Sequence, residues 1–173
     1  MTVSQDLLLH HRDDRGVHTL TLNHPKAFNV LSEAMLAALR DGVAQVAADP
    51  AARVLVIAAE GRAFCAGHDL KEMKARPEQA YYQELFARCS RLMMSLRALD
   101  VPVVARVQGL ALGGGVGLAC ACDLAIAAEG TQFAVSEARF GILPAVIGPY
   151  VIRAAGARQA QRLALMAHRV SAA

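Results

Sequence analysis

A glycine-rich turn that follows an apolar strand constrains this chain more than any other feature. An apolar segment at residues 101–107 leads to Gly113-Gly114-Gly115, and an apolar stretch of helical character follows. Glycines at the start of a helix leave backbone N–H groups free to hold an oxygen that carries negative charge. The turn therefore predicts a buried strand–turn–helix unit with an anion-binding end.

A second loop, at residues 64–70, has the same construction, with a strand before it, Gly67 inside it and a helix after it. Two such loops could each supply one backbone N–H to a single carbonyl oxygen. Because two donors aimed at one oxygen stabilise the negative charge that develops there, the pair predicts an enolate-stabilising site.

Composition favours one globular domain over residues 1–173, with 55% hydrophobic and 19% charged residues. A chain of this length buries a sizeable core without disulfides or metals. The net charge of +3 is small and scattered, and aromatic residues make up only 5% of the chain. These values argue against a nucleic-acid partner and leave an anionic small molecule compatible.

The sequence predicts neither a targeting segment nor a membrane-spanning segment. Residues 1–9 include Asp6 and lack a basic stretch before an apolar run, so we expect no signal peptide. The longest uncharged run, residues 107–122, has 16 residues and five glycines. It is shorter than the roughly 20 apolar residues that a membrane-spanning helix needs. We therefore expect no membrane span and a location in the cytoplasm or an organelle matrix.

The four cysteines are interpreted as buried small hydrophobes. Cys65, Cys89, Cys120 and Cys122 do not form a disulfide framework typical of a small secreted domain. Cys120 and Cys122 lack a second ligand pair at metal-binding spacing, so we predict no zinc site. No His/Asp partner pattern accompanies Cys65, which argues against a nucleophilic role for its thiol.

Strand and helix patterns alternate along the chain. Ser32 is a good helix N-cap before apolar residues at helical spacing, and Pro50 ends that helix. Further helical patterns cover residues 70–99, with a new segment at Pro77, and the chain from 145 onward, with a break near Gly156. Strands are predicted at 7–11, 17–23, 54–59, 101–107, 123–128 and 132–135. The alternation predicts an α/β fold with largely parallel pairing.

Five ordered motifs together resemble the crotonase family, the enoyl-CoA hydratase/isomerase superfamily. They cover nearly the whole chain and lie at residues 24–32, 62–73, 113–115, 122–127 and 136–144. The resemblance implies a spiral of repeated ββα turns. It also implies that an acyl-CoA thioester is the substrate and that no other cofactor is needed.

By position, the resemblance places two backbone N–H groups, those of His68 and Gly114, over the thioester carbonyl as an oxyanion hole. The donors are main chain, so the His68 side chain need not take part. Lys26 matches a position near the CoA nucleotide, and a solvated surface lysine is the alternative. The predicted substrate-binding residues are Lys26, Ala63, Ala66, Gly67, His68, Asp69, Leu70, Gly113 and Gly114.

Hydratases of the family usually carry two glutamates, 20 residues apart. The first position is Gly117 in this chain, and the second is Glu137. Glu137 is therefore the only family-matched acid/base, so the predicted catalytic residues are Glu137, His68 and Gly114. The alternative is that Glu137 has a structural capping or pairing role. Phe140, Ile142, Leu143 and Val146 could supply apolar surroundings that raise the pKa of Glu137.

One carboxylate is enough for two reactions: addition of water to an enoyl-CoA, or movement of its double bond by proton transfer from C2 to C4. Residues 113–152 look like methylglutaconyl-CoA or carboxygeranoyl-CoA hydratases, which favours hydration. Residues 66–73 look like a different hydratase-like branch. The two parts of the chain therefore leave the acyl group open.

Family members continue into C-terminal helices that cover the CoA site and pack subunits into trimers or paired trimers. This sequence lacks a match to those helices, so apolar surface that they normally cover is expected to be exposed. A homotrimer or hexamer is expected where the helices are present or substituted.

The hypothesis that competes with an enzyme is an inactive CoA-binding or oligomer-modulating module. A nicotinamide-binding fold is disfavoured, because Leu118 occupies the last glycine position of that fingerprint.

Overall fold

The computed structural model describes residues 6–173, and a five-stranded sheet forms its centre. The predicted absence of a signal peptide concerns residues 1–9, of which 1–5 lie outside the described residues. Strand order in the sheet is β1-β2-β3-β4-β6; only β1 and β2 pair antiparallel, and the other three pairs are parallel. Its strands are β1 (Leu8–Arg12), β2 (Val17–Leu22), β3 (Val54–Ala59), β4 (Val103–Val107) and β6 (Leu124–Ala127).

A smaller sheet of three strands carries the glycine turn. It contains β5 (Leu110–Leu112), β7 (Gln132–Ala134) and β8 (Val170–Ser171), in the order β5-β7-β8. β5 and β7 are parallel, with Leu112 opposite Ala134. Both strands therefore deliver the chain that follows them to the same edge of the sheet.

Six helices of the described residues pack on and around the sheets. The first, α1 (Glu33–Ala48), begins at Ser32, whose Oγ accepts a hydrogen bond from the Met35 amide at 3.1 Å. The other helices are α2 (Leu70–Ala75), α3 (Gln79–Arg97), α4 (Gly114–Ala121), α5 (Gly148–Ala155) and α6 (Ala157–Met166). Short 3₁₀ turns lie at Pro25–Ala27 and Glu137–Phe140.

The core lies between the large sheet and the helices α1, α3 and α4. Leu20, Leu55, Ile57 and Leu118 are fully buried in it. The α/β class with largely parallel pairing is confirmed. The predicted helix after Ser32 and the strand at residues 54–59 are also confirmed.

Three local expectations need correction. β5 and β8 were not predicted, because strands of three and two residues are too short to show periodicity. β4 is shorter than the predicted strand at 101–107, and its Arg106 is exposed. β6 is shorter than the predicted strand at 123–128, and it lies at the edge of the large sheet, with Leu124 and Ile126 exposed at 62% and 65%.

All four cysteines are free thiols. Cys65, Cys89 and Cys122 are buried, as the sequence predicts, whereas Cys120 is only half-buried. Burial raises the pKa of the Cys65 thiol to about 12, which keeps it protonated and unreactive. Within residues 6–173, no helix is both long and apolar enough to cross a bilayer.

Candidate active site

Backbone hydrogen bonds hold the two predicted loops against each other. Cys65 forms an isolated parallel bridge with Ala111, and the Leu112 amide donates to the Cys65 carbonyl at 2.9 Å. On the other side, the Leu31 amide donates to the Gly67 carbonyl at 2.8 Å. The loop at residues 64–70 is therefore fixed between the start of α1 and the glycine turn.

The glycine turn requires residues without a side chain at two of its positions. Gly113 has φ 49° and ψ −118°, a conformation that residues with a Cβ rarely adopt. Its own amide donates to the Ala134 carbonyl at 2.8 Å. A Cβ on Gly115 would overlap the Cys65 carbonyl oxygen. The turn thus needs glycine at 113 for its conformation and at 115 for the close approach of the second loop.

The amides of His68 and Gly114 lie in adjoining backbone and are both available. A Cβ placed on Gly67 would lie 3.2 Å from the Gly114 nitrogen, and one placed on Gly114 would lie 3.4 Å from His68 Nδ1. Neither amide donates a hydrogen bond to another group of residues 6–173. Gly114 is also the first residue of α4, where the helix dipole favours negative charge.

Glu137 reaches the same turn from the segment after β7. A Cβ on Gly113 would lie 3.2 Å from Glu137 Oε1, so the missing side chain leaves room for the carboxyl group. Oε2 is buried and has no hydrogen-bond partner among the described residues. Burial raises the pKa of Glu137 above its ordinary value, and backbone hydrogen bonds to Glu137 and Ser136 oppose that rise.

A cavity of about 450 Å³ joins these groups. His68 and Leu70, Gly113 and Gly114, and Glu137 all line it, as do Ala66 and Gly67. Most of the remaining wall is apolar, and it includes the four residues that the sequence proposes as apolar surroundings of Glu137. The apolar wall consists chiefly of Met73, Phe86, Leu112, Phe140, Ile142, Leu143, Val146 and Ile147.

Three predicted substrate-binding residues lie outside the cavity wall. Lys26 is exposed on the 3₁₀ turn before α1. Ala63 is buried, and its carbonyl accepts a hydrogen bond from Asn29 Nδ2 at 2.9 Å. Asp69 caps α2, because its carboxylate accepts hydrogen bonds from the Lys71 and Glu72 amides at 2.8 and 3.3 Å. The Asp69 side chain is therefore committed to holding the loop in place.

The space beside Gly117 is filled. A Cβ at this position would overlap Cγ2 of Ile147 and lie 2.8 Å from Ile147 Cβ and from Met93 Cε. Ile147 is only 2% exposed and comes from the loop before α5. A carboxylate cannot occupy position 117 unless this part of the core rearranges.

Several cavity residues were not found from the sequence. Met73 and Phe86 belong to helical patterns that predict core positions, and nothing in those patterns marks them as cavity wall. Arg139 and Arg169 also line the cavity; Arg139 Nε donates to the Ala167 carbonyl at 2.9 Å. No group of three or more His, Cys, Asp or Glu side chains within residues 6–173 is placed to hold a metal ion.

Comparisons with known proteins identify the family of this chain. The enoyl-CoA hydratase/isomerase family model matches residues 12–173. The crystal structure of an enoyl-CoA hydratase from Mycobacterium smegmatis is 48% identical, with a TM-score of 0.95 over 97% of this chain and 65% of that one. Human enoyl-CoA hydratase domain-containing protein 3, described as mitochondrial, is 35% identical over 91% of this chain and 52% of its own length. The 1,2-epoxyphenylacetyl-CoA isomerase of Escherichia coli K12 is 33% identical over 92% of this chain and 62% of its own length.

The chain spans about half the length of the human relative and about two thirds of the M. smegmatis structure. The similarity nevertheless extends over nearly all of this chain and includes both loops and the Glu137 segment. The crotonase-type fold expected from the sequence is confirmed by the structural match. The chain belongs to the enoyl-CoA hydratase/isomerase family.

Proposed function

We propose that this chain binds an acyl-CoA thioester and acts as an enoyl-CoA hydratase-type lyase. The observation that carries the proposal is that two free backbone amides and one carboxyl group with a raised pKa line a single, mostly apolar cavity. The two amides belong to His68 and Gly114, and the carboxyl group belongs to Glu137.

The amides act on the thioester oxygen. When a nucleophile adds at C3, electrons move through C2 onto this oxygen and form an enolate. Two N–H groups aimed at the oxygen stabilise the charge only as it develops, and loss of one such donor commonly costs about 3–4 kcal/mol. The N-terminal end of α4 adds a favourable dipole at the same place.

Glu137 moves the proton. As a carboxylate it accepts a proton from water while the water oxygen forms a bond to C3. The protonated carboxyl group then donates this proton to C2, which restores the thioester carbonyl and regenerates the carboxylate. A raised pKa assists the first half of the cycle, because it makes the carboxylate a stronger base toward water.

Double-bond isomerisation is the second candidate, and the packing around Gly117 favours it. Glu137 is the only glutamate or aspartate among the described residues that line the cavity, and Ile147 and Met93 fill the space that a second carboxylate at position 117 would need. One carboxylate can take a proton from C2 of a 3-enoyl-CoA and return it to C4. The same two amides hold the enolate in between.

Backbone of the loop at residues 63–70 is proposed to hold the pantetheine and adenine of CoA. Support comes from the position of Ala66 and Gly67, which line the cavity beside the two amides. The exposed Lys26 is proposed to face a CoA phosphate. We propose no cofactor, because both reactions proceed with the thioester and Glu137 alone.

Turnover of three substrates tests the proposal. The purified chain is incubated with crotonyl-CoA, 3-methylglutaconyl-CoA and a 3-enoyl-CoA, and absorbance of the conjugated thioester is followed. Hydration of either of the first two supports the hydratase; turnover of the 3-enoyl substrate alone makes isomerisation the reaction. Binding of acyl-CoA with a residual rate that Glu137→Gln leaves unchanged would instead support a non-enzymatic CoA-binding module.

We also propose that the chain assembles with copies of itself, as a trimer or a pair of trimers. The edge strand β6 supports this, because Leu124 and Ile126 expose apolar side chains on one face of the large sheet. Light scattering is expected to give a multiple of the mass of 18.3 kDa. Replacing Leu124 and Ile126 by lysine is expected to reduce that mass to one chain, and an unchanged mass would place the contact elsewhere.

The cytoplasm remains the proposed location. The vertebrate relatives are described as mitochondrial, and that description concerns those proteins. Fractionation of the source cells with antibody detection tests the proposal, and recovery in an organelle fraction would contradict it.

A further inference from the structure

The His68 imidazole is a polar group without a partner in a mostly apolar wall. Its Nε2 atom is buried and makes no hydrogen bond within the part of the chain that the structure describes. The ring packs edge-to-face on Phe86, with 5.3 Å between ring centroids. The mechanism above uses only the backbone amide of His68, so it leaves this side chain unexplained.

The ring lies beside the place where the reacting part of a thioester would sit. A Cβ on Gly114 would be 3.4 Å from His68 Nδ1 and 3.5 Å from Cε1. The Gly114 amide is the proposed donor to the thioester oxygen, so the Nδ1 edge of the imidazole, rather than the fully buried Nε2, is the edge close to the first carbons of the acyl group. Glu137 approaches the same turn at Gly113.

Charge narrows the kind of group that the imidazole can recognise. Burial lowers the pKa of His68 to about 4, so the ring is neutral at physiological pH. A neutral imidazole has one N–H donor and one lone-pair acceptor. A hydroxyl oxygen can both donate and accept, so it matches either tautomer at Nδ1, whereas a carboxylate gains no ion pair and a methylene offers Nδ1 no hydrogen bond.

We propose that the His68 side chain determines specificity by hydrogen bonding to a hydroxyl-type oxygen on the acyl part of the thioester. This inference rests on the proposed function, because it takes the thioester to be bound at the His68 and Gly114 amides. The oxygen has two possible sources. It is either a substituent of the substrate itself or the water oxygen that adds at C3.

A packing role alone does not account for the residue. An apolar ring at position 68 would fill the same space against Phe86 without leaving a buried nitrogen unpaired. Sites that hydrogen-bond a substrate oxygen reject analogues that lack it, because their polar group then stays unsatisfied. The expected behaviour is therefore a preference between thioesters that differ by one oxygen.

The test measures binding of butyryl-CoA, 3-hydroxybutyryl-CoA (both enantiomers) and 4-hydroxybutyryl-CoA by calorimetry. Every protein carries Glu137→Gln, so that the thioesters are not turned over. His68→Phe keeps the backbone amide and the ring shape, and His68→Gln restores a polar side chain. His168→Phe is the matched control, because His168 Nδ1 is also buried without a hydrogen-bond partner among residues 6–173 and His168 does not line the cavity.

With His68 present, one hydroxy thioester is expected to bind about three- to tenfold more tightly than butyryl-CoA. His68→Phe is expected to abolish this ratio, His68→Gln to restore part of it, and His168→Phe to leave it unchanged. A preference for the 3-hydroxy compound identifies the added water as the source, and one for the 4-hydroxy compound identifies a substituent. Equal binding of all four thioesters overturns the inference, while no binding of any thioester overturns the proposed function instead.

Discussion

Gly113 and Gly117 lie one helical turn apart around the start of α4, and the space beside each is used differently. The space beside Gly113 admits the carboxyl group of Glu137 and opens to the cavity. The space beside Gly117 holds Ile147 and Met93, which belong to the core. The first glycine serves the candidate chemistry, and the second serves packing.

This contrast separates two roles that look identical in the sequence. Gly113 also requires its left-handed φ. Gly117, in contrast, is an ordinary helical residue, and a Cβ added there would have no room. Substitutions around the first glycine should therefore change activity or its pH dependence. Substitutions around the second should change the free energy of unfolding.

The largest effect is expected for Glu137→Gln. The amide keeps the size of the side chain but cannot exchange a proton, so kcat should fall by about 10²- to 10⁴-fold. Stability should be nearly unchanged, because the replaced carboxyl group is half-buried and its Oε2 has no partner within the described chain. Turnover of crotonyl-CoA and urea unfolding of the same samples check both parts. A fall in activity matched by a fall in stability would contradict a chemical role.

His68→Phe should remove a source of acid sensitivity. The folded-state pKa of His68, about 4, lies below the ordinary 6.5, so its contribution to stability is complete above about pH 6.5 and is lost as pH falls through about 4. Between about pH 7 and pH 4, the free energy of unfolding should drop by about 3 kcal/mol more in the parent chain than in the variant. Urea unfolding at both pH values measures the difference, and equal drops would refute it.

Gly117→Ala should destabilise the fold by about 1–3 kcal/mol, because the added methyl group overpacks the core. The sum of the losses in Gly117→Ala and Ile147→Ala should exceed the loss in the double variant by about 1 kcal/mol, since Ile147→Ala vacates the contested space. Denaturant unfolding of the four proteins gives this coupling. Strict additivity would mean that Ile147 does not define the space beside Gly117.

Gly148→Ala is the control, and the smallest change. Apart from its chain neighbours, a Cβ at this position meets no atom within 4 Å, and the φ of Gly148 is outside the left-handed region. The substitution should change the free energy of unfolding by at most about 1 kcal/mol, because the restriction of the unfolded state is opposed by the contact of a Cβ with the ring of Pro149. The midpoint of thermal unfolding is sufficient to detect it, and a marked loss of stability would show that glycines here cannot be sorted by the space around them.

Local signals explain what the sequence predicts well. The Ser32 cap and the apolar, β-branched run at residues 54–59 are decided by neighbours in the chain, so α1 and β3 appear where they are expected. The glycine turn and Glu137 are likewise found from motifs that are short and contiguous in the sequence. β5 is not predicted because Leu110–Leu112 lies between two turns and pairs only with segments that are remote in the sequence.

Remote contacts explain what the sequence could not supply. Ile147 fills the space beside Gly117 from 30 positions away, and no pattern in either segment links the two. The burial of the His68 ring depends on Phe86 in α3, whose helical pattern indicates only a core position. Sequence motifs therefore locate the candidate groups, while their surroundings depend on tertiary packing.

The parallel pairing of Leu112 with Ala134 has a consequence for how this site tolerates insertions. Gly113 follows β5 directly, and Glu137 lies three residues beyond the end of β7. The alignment of these two strands therefore sets the distance between the Glu137 carboxyl group and the backbone amide of the glycine turn. A slip by one residue would move the carboxyl group by about 3.3 Å. Extra residues in the turn around Gly130, where a Cβ meets nothing within 4 Å, would leave that alignment intact. Length changes should therefore be tolerated before β7 and damaging after it.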